Sequence, residues 1–135
     1  MRSVACAIIV ATGVGLVGSA FAADMTGAEV KTFLSDRTTY LETTTASASG
    51  TAGQGVIYWA ADGTALYKTP AGPIFHGKWE VKGNTNCADW RERPGTGCVR
   101  YDKTGDVVTV IDVASGQARA KVVKSAAGNA EKLAP

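Results

Sequence analysis

Histidine, cysteine and net charge are all scarce in this chain, and each scarcity removes a class of function. The 135 residues include one histidine, His76, and three cysteines. A structural zinc site draws about four Cys or His ligands, so no metal site is expected. A Ser-His-Asp hydrolase would have to use His76, which lies in the Pro- and Gly-rich stretch PAGPIFHG, and no G-x-S-x-G elbow is present. The pair Asp89 and Glu92 is the remaining candidate for carboxylate chemistry. No P-loop or dinucleotide fingerprint occurs, and no cofactor is expected. The net charge is only +2, with the basic residues scattered apart from Arg91, Arg93 and Arg100. That gives no electrostatic footprint for nucleic acid or an anionic membrane.

Long apolar runs are missing as well. The longest, Val4 to about Val17, falls short of the roughly 20 residues a membrane span requires. With Arg2 before it and Ala20-Phe21-Ala22 after it, the run has the form of a secretory signal peptide with an A-x-A cleavage site. Residues 1–22 are therefore expected to be removed, leaving 23–135 as one β-rich domain without stable membrane insertion, in the periplasm or secreted. A chain of that size holds one core and is expected to be a monomer.

Cleavage would also remove Cys6. Cys87 and Cys98 then remain as an even pair in an oxidising compartment, which predicts a disulfide. Their separation is wider than the C-x-x-C of a redox pair, so the bond is expected to be structural.

Along the mature chain the first signal is helical. Thr26 and Glu29 fit a capping box, and Val30, Phe33 and Leu34 form an apolar stripe. From residue 38 the period changes to two. TTYLETTT, VIYWA, ALYKT, GKWEVK, CADW, CVRYD, VVTVIDV and ARAKVVK are separated by turn residues. This predicts a mainly β fold: an antiparallel meander of about eight strands forming a strongly bent sheet or small barrel, with a short N-terminal helix. Residues 45–55 and the tail from about 125 read as flexible.

Hairpin registers follow from face matching. A Thr104-Gly105 turn sets Tyr101 opposite Val108 and Val99 opposite Val110. A three-residue Ala114-Ser115-Gly116 loop aligns Val108 with Val122 and Val110 with Ala120, turning Arg119 and Lys121 away. Ile111 and Val113 then lie outside and call for cover, which the helix would supply. Around Asp62-Gly63, Trp59 pairs with Leu66 and Tyr58 with Tyr67. Trp59, Trp79, Leu66 and Val81 are the expected core. A sharper alternative is an aromatic-lined ligand cavity.

The succession YWAADGTALYKT, GKWEVKGNTNC and GCVRYDKTGD, over about residues 55–113, resembles small exported β-rich proteins of an uncharacterised alphaproteobacterial domain family. These share a signal peptide, a DG hairpin, a G-x-W strand and a cysteine pair around a variable loop. That family has no established activity, so the resemblance implies a periplasmic setting and no site residues. The chain is also superficially similar to bacterial lysozyme inhibitors, small exported barrels with disulfides, but lacks their inhibitory motif.

WRERPGTG lies between the paired cysteines. Trp90, Arg91 and Arg93 are residue types enriched at binding hot spots, and a disulfide across the loop would preorganise them. The leading expectation is an exported binding or interaction module without catalytic activity, whose stapled loop 87–98 recognises an envelope protein or glycan. The alternatives are a small-ligand carrier with an aromatic cavity and a hydrolase of unrecognised type. A deep apolar pocket would favour the carrier.

Overall fold

Alternating inward and outward residues, interrupted at two bulges, run along strands that close this chain on itself. The computed structural model describes residues 23–135; the expected signal peptide lies outside the described residues. The elements are β1 (Ala23–Asp24), α1 (Gly27–Leu34), β2 (Arg37–Thr43), β3 (Gly53–Trp59), β4 (Thr64–Lys68), β5 (Ile74–Lys82), β6 (Thr85–Trp90), β7 (Cys98–Thr104), β8 (Val107–Asp112) and β9 (Ala118–Ala127). From β2 onward each strand pairs antiparallel with the next, and β9 pairs back onto β2. The result is a closed eight-stranded up-and-down barrel, which leaves no long unpaired edge.

One end of the barrel is plugged. Thr26 caps α1 through the expected box, its hydroxyl accepting from the Glu29 amide while the Glu29 carboxylate accepts from the Thr26 amide. Val30 and Leu34 are fully buried, and the Phe33 ring meets Tyr101 edge-on at 6.1 Å. Gly27 packs so closely on the β5–β6 turn that a Cβ there would strike the Gly83 carbonyl. The helix thus closes the end that carries the β3–β4, β5–β6 and β7–β8 turns. Contrary to the expectation from the sequence, it does not cover the outer face of β8, and Val113 remains 49% exposed.

The weakest seam is between β6 and β7. Only Asn86↔Val99 and Cys87↔Cys98 pair there, and the expected disulfide joins the second pair directly across the strands. Where β6 diverges, β1 takes its place on β7, with Ala23 opposite Lys103 and Asp24 opposite Asp102. The Met25 amide adds a bond to the Tyr101 carbonyl at 2.8 Å.

Three registers differ from expectation. Trp59 pairs with Ala65 and Ile57 with Tyr67, because three residues, 61–63, form the turn and Gly63 takes the left-handed φ of 90°. A one-residue slip exchanges faces, so Tyr67 points inward beside Trp59 and Leu66 points out. The β7–β8 turn is Gly105-Asp106, setting Tyr101 opposite Val110; a shift of two leaves the faces as expected. Val108↔Val122 and Val110↔Ala120 hold as expected, but Ile111 pairs with Ala118. Arg119 is therefore a bulge, and the loop before it is four residues, 113–116.

Neither segment read as flexible is free of structure. The Thr43 hydroxyl donates to the Thr51 carbonyl at 2.7 Å, and Ser47 is buried. Beyond 125, β9 continues to Ala127, Thr38 bonds the Gly128 carbonyl at 2.6 Å, and Leu133 is buried. Side-chain hydroxyls and the Asn129 amide satisfy the backbone of these Gly- and Ala-rich stretches, which composition alone does not reveal.

Candidate functional site

The barrel interior has two unlike walls. Along β3–β6, Trp59 meets Trp79 edge-on at 5.8 Å and Trp90 at 6.2 Å, while Tyr67 lies 5.5 Å from Trp90 and 6.0 Å from Phe75. The opposite wall is aliphatic and small, from Leu41, Val99, Val110, Ala120 and Val122. Two inward glycines make room for the aromatic side. A Cβ on Gly77 would lie 2.6 Å from Trp90 Cε3 and 2.7 Å from the Asp89 carbonyl, and one on Gly55 would lie 2.8 Å from Tyr67 Cε2.

Between the walls is a cavity of ≈ 60 Å³. It is lined by Trp59, Tyr67 and Trp90 from the aromatic side and reaches Ser47, Ala48 and Gly97 in the loops of the unplugged end. No residue of α1 lines it. The mouth is rimmed by the β2–β3 and β6–β7 loops, and the Arg93 guanidinium sits directly over Gly50, linking the two. The Tyr67 hydroxyl bonds Ser49 at 3.3 Å beneath this rim, and burial raises its pKa.

A polar pole completes the lining. Asn86, fully buried, donates from Nδ2 to the Tyr101 hydroxyl at 3.3 Å. Burial pushes the Tyr101 pKa up to about 12, with Asn86 and the nearby Arg119 charge acting the other way. Arg119 reaches this place through the bulge. In a regular strand it would point away from the core beside inward Ala120; a bulge re-aims one side chain, here at the rim of a barrel. Its Nη2 donates to Asp112 Oδ1 at 2.6 Å and to the Thr96 carbonyl. Both ion-pair side chains are 14% exposed. Hydrogen bonds from Ser115, then the charge of Arg119, hold the Asp112 carboxyl below its usual range, so the pair is ionised and neutral overall.

The residues singled out in the sequence are distributed differently from expectation. Trp90 is 2% exposed and forms part of the lumen wall; it is not the surface anchor expected of it, because Asn86, Ala88 and Trp90 share the inward parity of β6. Arg91 is exposed on the outer wall, in a shallow groove with His76, Lys78 and Asp89. Arg93 is exposed at the mouth. His76 Nδ1 lies 2.6 Å from Glu92 Oε1, and the His76 amide donates to Glu92 Oε2 at 2.7 Å. No hydrogen bond among the described residues joins the His76 ring to a hydroxyl or thiol. The pair fastens the rim loop to β5. Among the described residues no cluster of three or more His, Cys, Asp or Glu is arranged to hold a metal ion.

Sequence reasoning missed Tyr67, Asn86, Tyr101 and Arg119 as site residues. Asn86 carried a usable signal, its even spacing from Trp90. Arg119 carried none, since its orientation depends on a bulge. No family model, curated protein or solved structure matches the chain.

Proposed function

We propose that this chain is a small-molecule-binding barrel, with the ligand held in the lumen and entering between the β2–β3 and β6–β7 loops. The observation that carries the reading is the ≈ 60 Å³ cavity that joins an aromatic wall to a buried polar pole. A few placed polar groups in a mostly apolar concavity are what small-ligand sites present, and eight strands is a size at which a barrel holds one small ligand. Loop 87–98 then acts as the rim and its disulfide keeps the mouth in shape. We further propose that the protein works in an oxidising compartment outside the cytoplasm, a reading supported by the disulfide and by the leader-like sequence before Ala23.

The test is NMR titration of a set of fragments of up to about seven heavy atoms. At least one should bind the wild type and perturb Trp90, Ala88 and Val99, and Ala88→Leu, which fills the lumen, should abolish that binding while the spectrum stays folded. Perturbations confined to the outer groove near Arg91, or binding indifferent to Ala88→Leu, would refute the lumen as the site.

A further inference from the structure

The polar pole specifies what a ligand must carry. Among the described residues three buried side-chain polar atoms have no hydrogen-bond partner: Asn86 Oδ1, Asp102 Oδ1 and Arg119 Nε. Two of the three belong to residues lining the same cavity. Unpaired polar atoms are rare in folded proteins because each forfeits its hydration without replacement. Asn86 offers an unused acceptor and Arg119 an unused N–H donor. The Tyr101 hydroxyl lies beside both, bonded to Asn86.

Charge narrows the class. The Arg119 guanidinium is already matched by Asp112 at 2.6 Å, and Asn86 is neutral. An anion entering the lumen would lose its water and meet no uncompensated positive charge. A cation would face no uncompensated carboxylate. Size narrows it further. A water's share of the liquid is about 30 Å³ and a cavity of about 150 Å³ admits a benzene ring, so ≈ 60 Å³ takes a polar head and a few further atoms, and a ring has to extend into the mouth.

Resting on the lumen reading, we infer that the ligand is a compact neutral molecule bearing one hydroxyl or carboxamide group, which donates to Asn86 Oδ1 and accepts from Arg119 Nε–H while the apolar body lies against Trp90 and Tyr67. A hydroxyl carries both a donor and an acceptor. A purely apolar molecule of the same shape would leave both unmet.

The experiment is calorimetric titration of the full mature protein with phenol and toluene, which share one shape and differ in polar character, and with benzoate, a larger anion. Phenol should bind at least about tenfold more tightly than toluene, because a site built to pair a hydroxyl penalises its absence, and benzoate should bind more weakly than phenol. Asn86→Leu and Arg119→Lys should each reduce the phenol-to-toluene ratio; the lysine keeps the charge toward Asp112 and removes the Nε donor. Because the three wild-type titrations need no variant, a poorly folded mutant leaves the comparison intact. Toluene binding as tightly as phenol would overturn the ligand class and leave lumen binding standing. Benzoate binding tightest would do the same by showing an uncompensated positive site. No saturable binding of any probe would overturn the class, and the lumen reading falls with it only if the broader fragment set also fails.

Discussion

Trp90 and Gly77 illustrate how closely single residues are coupled here. The Trp90 ring is shared between the core and the cavity wall, and Gly77 opposite it has no space for a methyl group. Trp90→Ala should therefore destabilise the protein by about 3–5 kcal/mol, and Gly77→Ala by about 1–3 kcal/mol, both read from chemical denaturation. A Trp90 variant of wild-type stability would mean the ring is outside the core. Tyr101 gives a pH signature. Its folded-state pKa of about 12 lies above the ordinary tyrosine value of 10.0, so at alkaline pH the folded state retains a proton that the unfolded chain has lost. The corresponding stability is fully present below pH 10 and is lost as pH rises toward 12, on the order of 2–3 kcal/mol. Denaturation midpoints measured from pH 8 to pH 11.5 should fall in the wild type and fall less in Tyr101→Phe. An equal fall in both would assign the alkaline loss to other groups, of which buried Tyr67 is the first candidate.

At the scale of elements the β6–β7 seam controls the mouth. With only two paired positions, one of them the disulfide, the seam depends on the covalent link and on β1. Replacing both Cys87 and Cys98 by Ser should lower stability by about 2–3 kcal/mol. Amide exchange should accelerate first in β1 and at the 98–99 end of β7. Uniform acceleration throughout the barrel would contradict a local role. The same elements show what the sequence could disclose. The capping box at Thr26 and Glu29, the cysteine pair and the Val110↔Ala120 register depend on short-range chemistry or on face matching, and all were legible. Tyr67 was misassigned because the face of β4 depends on whether two or three residues form the Asp62-Gly63 turn, and both lengths suit the same residues. Arg119 was placed outside because alternation is the only rule a sequence offers, and a bulge suspends it. The aromatic cavity was therefore legible only as an alternative to recognition by loop 87–98, and the polar pole was not legible at all.

For the molecule as a whole, the helix and the loops give the barrel a closed end and an open one. Leu34 is fully buried in the plug, so Leu34→Ala should cost about 2–5 kcal/mol without altering which groups line the mouth. Export is a separate expectation: the intact mass of protein recovered outside the cytoplasm should correspond to a chain starting at Ala23 or Asp24, and retention of residues 1–22 would contradict it. The central claim is that the lumen, and no outer surface, is the binding site. Its most direct measurement uses the three indole N–H resonances as the protein is titrated with phenol. Trp59 and Trp90 line the cavity, whereas Trp79 does not and donates to the Ala60 carbonyl at 2.9 Å near the plugged end. The Trp59 and Trp90 signals should move together and saturate while Trp79 moves least. Equal movement of all three, or saturation of outer-wall amides such as Arg91 with both lumen indoles unmoved, would contradict the account.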